Sequence, residues 1–268
     1  MVVKTDQPNY EGKDKFTPFT IWEKGGLTEH LGGIYATRRL LTRCHLTAGQ
    51  QILDVGCGTG FTACDLAMNY QVQIVALDIN PRSITEARKR ISKQNANRQV
   101  RVVRADAHRP PLSDAIFDTV IIESVLVFCD AAAVIAEIRR VLKPGGIVGV
   151  NEFTFLKSPP ARLVSLLTST MGIHTFRQDT WESILRSAGF AEVSSSVHRI
   201  NLWEQLTSHL ESDGVKNYLA AMVVGVSDTS IRRTFFNKEM LVAARDFLPY
   251  VGYGLYTGRK TVEEPFRA

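Results

Sequence analysis

Three glycines at alternate positions follow closely on an acidic residue in the run Leu53-Asp54-Val55-Gly56-Cys57-Gly58-Thr59-Gly60. A strand that ends in a carboxylate and a glycine-rich turn brings backbone N–H groups and a helix N-terminus against a nucleotide-like ligand. The residues that follow separate the chemistries that use such a turn. A phosphate-cradling loop ends in glycine, lysine and serine or threonine; here Gly60 is followed by Phe61 and Thr62, which argues against ATP or GTP hydrolysis. A dinucleotide turn wants its third glycine, or an alanine, five positions after the first, and that position holds the bulky Phe61. Asp78 ends a second apolar run eighteen residues beyond Gly60, where a carboxylate can accept two hydrogen bonds from a ribose diol. NAD enzymes share that carboxylate, so Asp78 alone does not discriminate.

The remaining pattern, Gly56-x-Gly58-x-Gly60 after Asp54, resembles the first motif of the class I S-adenosylmethionine-dependent methyltransferases. Later landmarks resemble the same family in order: Leu77-Asp78, Arg104-Ala105-Asp106-Ala107, Phe117-Asp118-Thr119-Val120-Ile121 and Leu142-Lys143-Pro144-Gly145-Gly146. The resemblance covers roughly Gln50 to Glu152. It implies S-adenosylmethionine as cosubstrate with no metal, and it implies roles residue by residue. Gly56, Cys57, Gly58 and Gly60 would line the methionine and ribose parts, and Asp54 would order the loop or meet the methionine ammonium. Asp78 and the adjoining Ile79 would hold the ribose side, and Asp106 with Ala107 the adenine. Asp118 lies within the fourth strand and is read as structural.

Methyl transfer from a sulfonium is an in-line displacement with a neutral leaving group, so alignment and a competent nucleophile matter more than an oxyanion hole. Open α/β sheets place ligands at strand C-termini. That rule points to Glu123 after the fourth strand, also a candidate cofactor contact, and to Asn151-Glu152 after the fifth. Either carboxylate could orient or deprotonate a substrate, or stabilise a cationic one. His30, before Leu31-Gly32-Gly33, is a third catalytic candidate because leader helices in related enzymes fold across the pocket. His108 has a lesser claim as a base.

The elements that must position these residues alternate. Leu27, Leu31, Ile34, Arg38 and Leu41 recur at helical spacing and predict a leader helix over about Thr28 to Cys44. Strands are expected at Gln51–Val55, Val72–Leu77, Val100–Val103, Phe117–Ile122 and Ile147–Val150, with helices between them. Asn80-Pro81 supplies a cap and a first-turn proline, and Lys143-Pro144-Gly145-Gly146 stops the helix before the fifth strand. Helical patterns follow at Pro160–Thr170 and Thr180–Ala188, then alternation over Glu192–Ile200 and again at Val251–Gly258. The fold class expected is α/β: a doubly wound, mostly parallel seven-stranded sheet with a leader helix and a helical insertion before the last strand. The corresponding division is a leader over 1–45, a cofactor-binding core over 46–200, an insertion over 201–249, the terminal strand over 250–260 and a tail over 261–268.

Composition bounds the function. The chain has 268 residues, 44% hydrophobic and 22% charged, with a net charge of +5, as expected of a globular enzyme with a modest preference for anions. Its basic residues form no interleaved aromatic platform, which argues against nucleic acid as partner. Amino-methylating nucleic-acid enzymes carry two prolines and an aromatic after the fourth strand, where this chain has Glu123-Ser124-Val125-Leu126. Protein-arginine enzymes use two glutamates in one loop, and only Glu123 is available there. The chain instead resembles stand-alone enzymes that methylate small molecules, including quinones, sterols and natural products. On that reading the insertion is a lid or substrate wall, and Trp203, Tyr218, Met222, Phe235, Phe236 and Phe247 line a pocket or, more simply, fill core. The cysteines Cys44, Cys57, Cys64 and Cys129 form no metal or redox pair. Acidic residues at Asp6 and Glu11 with no apolar run predict no signal peptide and a cytoplasmic protein. Asp118, Glu123, Asp130 and Glu137 break the longest apolar stretch, so no membrane span is expected. The sequence leaves open oligomeric state and the atom methylated, and as alternatives an RNA- or protein-modifying methyltransferase or a non-catalytic S-adenosylmethionine-binding module.

Overall fold

The computed structural model describes residues 30–170, 172–212, 223, 227 and 245–262. In chain order they form α1 (Gly33–Arg43), β1 (Gln51–Val55), α2 (Phe61–Tyr70), β2 (Gln73–Asp78), α3 (Pro81–Lys93), β3 (Val100–Arg104), β4 (Phe117–Glu123), α4 (Ala131–Val141) and β5 (Leu142–Phe155). These are followed by α5 (Ala161–Ser165), β6 (Phe176–Arg177), α6 (Gln178–Ser187), β7 (Phe190–Arg199), α7 (Leu202–Ser212) and β8 (Val251–Lys260). The sheet order is β3-β2-β1-β4-β5-β8-β7, with the two-residue β6 paired parallel to β5 off that path. Strands β3, β2, β1, β4 and β5 run parallel, and β8 is antiparallel to both β5 and β7.

Strand alternation divides the core into two layers, because successive side chains point to opposite faces. On one face Ile52, Ile74, Ile121 and Leu255 pack beneath α1, α2 and α3, with Leu40, Leu66 and Ile91 among the helical contributors. On the other, Leu53, Val120, Ile122 and Val148 pack beneath α4 and α6, with Ile135, Ile138 and Trp181. Covering both faces is what lets nearly continuous apolar strands such as Val120-Ile121-Ile122 be fully buried. Each such side chain contributes about 1.5–3 kcal/mol, so the sheet needs both helical layers. Strand order reverses between β1 and β4, and a doubly wound sheet opens a ligand crevice at the C-terminal ends of the strands on either side of such a reversal.

Several expectations are corrected at the edges. Lys143-Pro144-Gly145-Gly146 does not separate helix from strand as a loop: α4 ends at Val141 and β5 begins at once, with an irregularity where the pairing passes from Phe117↔Leu142 to Thr119↔Ile147. A Cβ at Gly146 would lie 2.9 Å from the Lys143 carbonyl oxygen and 3.1 Å from that of Asp118, so the glycine allows this close approach. The helix expected over Pro160–Thr170 is α5 followed by a π-turn over Leu166–Thr170. An eighth strand, β6, is too short to carry a sequence period. The leader helix starts at Gly33 because Gly32, at φ 79°, turns the chain sharply before it; the part expected before His30 lies outside the described residues. So does most of the insertion, including Tyr218, Met222, Phe235 and Phe236. Trp203 is not core: it is 71% exposed.

Candidate active site at the strand C-termini

The glycine turn is packed on one side and open on the other. Gly56 and Gly58 adopt φ 70° and 51°, backbone conformations that a side chain makes costly. The N–H groups of Gly56 and Cys57 both donate to the Leu77 carbonyl, at 2.7 and 2.9 Å, which ties the turn to β2. A Cβ on Gly56 would lie 2.2 Å from Cγ2 of Val125, whereas a Cβ on Gly58 would meet nothing within 4 Å. Gly60 precedes α2 and supplies no side-chain cap, so the first N–H groups of that helix lack the acceptor a capping side chain would give. Asp78 closes the far edge: Oδ2 accepts from the Gly58 N–H at 2.9 Å and Oδ1 from the Asn80 N–H at 2.8 Å. Asn80 in turn caps α3 through the Arg82 N–H at 2.9 Å.

Behind the turn lies a buried polar cluster. Asp54, Glu123 and Asn151 project from β1, β4 and β5 on the α1 and α2 face, since Asp54 is in register with Ile121 and Glu123 with Asn151. The Glu123 carboxylate bridges two helices: Thr37 of α1 donates to Oε1 at 2.9 Å and Thr62 of α2 to Oε2 at 3.0 Å. The Asn151 amide reaches Oε1 at 3.4 Å and donates to the Leu31 carbonyl at 2.9 Å. His30 Nε2 lies 3.0 Å from the Thr37 hydroxyl, and its Nδ1 faces Glu123 Oε1 at 3.7 Å. Which of the His30 ring and the Thr37 hydroxyl donates in this contact depends on the imidazole tautomer. The entry to α1 and its first turn are further held by Ser124, Gln205 and Ser208, which accept from the N–H groups of Leu31, Gly32 and Ile34. Asp54 is fully buried; burial and the like charges of Glu123 and Asp78 hold its carboxyl well above the usual range. Its Oδ2, with Asn151 Oδ1 and His30 Nδ1, has no hydrogen-bond partner.

The remaining predicted residues sit in different surroundings. Asp106, after β3, accepts from the His108 N–H at 2.9 Å and from its ring Nδ1 at 2.7 Å through one oxygen. Burial raises its pKa, but the His108 hydrogen bonds and the charges of His108 and Arg109 outweigh this and leave it below the ordinary value. Ile79 is 36% exposed beside Asp78, and Ala107 packs against the α4 layer. The Cys57 thiol is pushed up by burial and by Asp54 and Asp78, so it stays a thiol. Glu152, next in β5 after Asn151, points to the opposite face and is wholly buried. Its Oε1 accepts from the N–H groups of Val125 and Leu126 at 2.7 and 2.6 Å. Burial pushes its pKa up to about 8 against the pull of the Leu126, Val125, Phe153 and Val127 N–H groups. Asp118 accepts from Gln51 N–H and Lys143 Nζ at the opposite end of β4, a structural tie. Among the described residues no group of three or more His, Cys, Asp or Glu could hold a metal ion.

Sequence reasoning missed Thr37 and Thr62. The signal was present: Thr37 sits at helical spacing between Ile34 and Leu41, and Thr62 is the second residue of the helix after Gly60. A buried threonine on an otherwise apolar stripe asks for an acceptor.

A family model described as a methyltransferase domain matches residues 46–213. The chain belongs to the class I S-adenosylmethionine-dependent methyltransferases. Among similar proteins, an uncharacterised methyltransferase of Bacillus subtilis is 32% identical over 62% of this chain and 70% of its own length. An O-methyltransferase of Penicillium expansum is 29% identical over 65% of this methyltransferase and 64% of the relative. A solved [4+2]-cyclase superposes with a TM-score of 0.72 at 23% identity, over 91% of this chain and 92% of that one. A methyltransferase of Thiobacillus denitrificans, solved with S-adenosylhomocysteine, superposes at 0.68 with 18% identity, over 91% and 98% of the two chains. These likenesses confirm the fold of the methyltransferase. No helix among its described residues is long and apolar enough to cross a membrane.

Proposed function

We propose that this methyltransferase binds S-adenosylmethionine on the open side of the Gly56–Gly60 turn and transfers its methyl group to a small-molecule acceptor. The observation that carries the reading is the pairing of that open side with a buried acid lacking a counter-charge. Gly58 leaves free space where any side chain would stand, and Asp54 is buried beside two further acids with an orphaned oxygen. A ligand bearing an ammonium and a sulfonium fits this cluster, because buried carboxylates are favoured only when paired. When bound, S-adenosylmethionine supplies the electrophilic methyl. The chain's own residues do the rest. Asp78 would hold the ribose hydroxyls, with Gly56, Cys57, Gly58 and Gly60 giving backbone approach. Ile79 would stand beside Asp78 on the ribose side, and Asp106 and Ala107 would bound the adenine. Glu123, fixed by Thr37 and Thr62, would orient the methionine end and, with His30 beside it, the acceptor. No metal is invoked. The relatives named as O-methyltransferases and as quinone C-methyltransferases, such as that of Coxiella burnetii at 32% identity over 51% of its length, support a small acceptor.

Calorimetric titration with S-adenosylmethionine tests the first half of the proposal, with saturable 1:1 binding as the expected result. Incubation with methyl-labelled S-adenosylmethionine and fractionated cell extract tests the second. Label is expected in the metabolite fraction, and label confined to RNA or protein would overturn the small-molecule reading.

A further inference from the structure

We infer that Glu152 is a positioning residue for the cofactor turn: from β5 it holds the backbone of the turn after β4, and that turn holds Gly56 through the side chain of Val125. The inference rests on the reading that the Gly56–Gly60 turn binds S-adenosylmethionine. Ser124, at φ 55°, turns the chain out of β4, and Leu126–Phe128 then form a single 3-10 turn. The residue that should cap it is Val125, which has no side-chain acceptor. Glu152 supplies that acceptor from another strand, with Oε1 taking the N–H groups of both Val125 and Leu126. The other oxygen, Oε2, is buried without a hydrogen-bond partner, and Leu126, Val127, Phe155 and Tyr256 belong to the apolar core on this face of the sheet. N–H groups buried there without an acceptor would be poorly tolerated.

From Val125 the contact passes to the cofactor turn. Its Cγ2 occupies the space that a Cβ on Gly56 would need, 2.2 Å away, so the valine methyl lies flat on the Gly56 backbone. On its other side Gly56 is tied to β2 by the Leu77 carbonyl. The turn is therefore clamped between β2 and Val125, and the position of Val125 is set by Glu152. The same geometry argues against Glu152 as a base that meets substrate. The side chain is 0% exposed and faces away from the layer of Glu123 and Asn151.

The test is a double-mutant cycle on S-adenosylmethionine affinity, measured by calorimetry with melting curves as the check on folding. Glu152→Ala is expected to weaken binding about tenfold or more, and Val125→Ala by several-fold. The double variant is expected to bind about as weakly as Glu152→Ala alone, since both changes cut one path. Glu152→Gln keeps an acceptor oxygen and is expected to restore most of the affinity, which also covers the case that Glu152→Ala does not fold. Wild-type affinity in a folded Glu152→Ala, or effects of the two changes that simply multiply, would overturn the inference. Absence of binding by the wild-type protein would instead remove the cofactor reading beneath it.

Discussion

The parallel and antiparallel halves of the sheet treat their polar side chains differently. Around the C-terminal ends of β1, β2 and β4 the carboxylates of Asp54, Asp78 and Glu123 converge, and buried acceptors are left over on Asp54 and Asn151. Across β7 and β8 the polar groups are mutually satisfied. Arg39 donates to the Tyr253 hydroxyl, Arg43 to Ser194 and Ser196, and Arg259 to Glu192, while His198 stacks on Tyr253 at 5.1 Å. Native interiors pair nearly all buried polar atoms. The unpaired oxygens of Asp54 and Asn151, beside the open glycine turn, support the proposal that the ligand binds in the parallel half, although Gln94, Gln99, Thr119, Glu152 and His209 also carry buried unpaired atoms elsewhere.

The largest effect expected from breaking that contrast comes from Gly56→Val. It forces a β-branched residue into φ 70° and drives its Cβ to 2.2 Å from Val125 Cγ2. Conformational strain and overpacking together cost about 2–5 kcal/mol, read as a fall in melting temperature with loss of S-adenosylmethionine binding. Gly58→Ala separates the two causes. It meets no protein atom, so the fold should lose only about 1–2 kcal/mol of stability, yet ligand affinity should fall at least tenfold because the methyl enters the space assigned to the ligand. Unchanged affinity in Gly58→Ala would show that the open side is not the site. Asp78→Ala comes next: S-adenosylmethionine binding is expected to weaken by about 1–3 kcal/mol through loss of a charged hydrogen-bond acceptor. Arg259→Ala, the matching change in the satisfied half, should leave affinity untouched.

How much of this was legible in sequence follows the same division. Strand and helix periods run through the parallel half, and the turn Gly56–Gly60 with Asp78 was readable because its chemistry is local: glycine conformations, an acid at a strand end and a missing lysine at Phe61. The links between elements were not. That Glu123 joins Thr37 to Thr62 depends on which helix faces which strand, and no spacing within one segment encodes it. Glu152 stands next to Asn151 and was a candidate for substrate chemistry by position. Only the alternation of β5, in its actual register, puts the two on opposite faces. The 3-10 turn at Leu126–Phe128 takes its cap from a distant strand, so its own residues carry no capping signal. Trp203, expected among apolar packing, stands exposed because a helical stripe does not say which face is covered.

The pH dependence sharpens the contrast at a smaller scale. Glu152 has a folded pKa raised to about 8, mainly by burial. An acid whose folded pKa lies above its unfolded value, about 4.3 for glutamate, resists ionisation in the native state. Its contribution is intact below the unfolded value and is lost progressively as pH rises toward about 8. Melting temperature should therefore fall between pH 5 and 8 more steeply in the wild type than in Glu152→Gln. Asp54, also raised by burial, adds to the same slope until a cationic ligand pairs with it, so saturating S-adenosylmethionine should flatten the profile. An identical slope in wild type and Glu152→Gln would remove Glu152 from this account.

The smallest effect belongs to the surface tie between the leader and α7. Arg38 Nη2 lies 2.7 Å from Glu211 Oε1, with the two side chains 47% and 42% exposed. At such exposure solvent screens the attraction and two long side chains must be ordered to hold it, so the coupling is worth about 0.2–1 kcal/mol. The same two helices also meet where Ile34 N–H donates to the Ser208 hydroxyl at 2.8 Å, in a buried setting where loss of the acceptor leaves a donor unsatisfied. Ser208→Ala should therefore destabilise more than Arg38→Ala, and only the Arg38 effect should vanish in high salt. A salt-sensitive Ser208→Ala, or an Arg38→Ala that costs more, would show that charge rather than backbone capping joins the leader to α7.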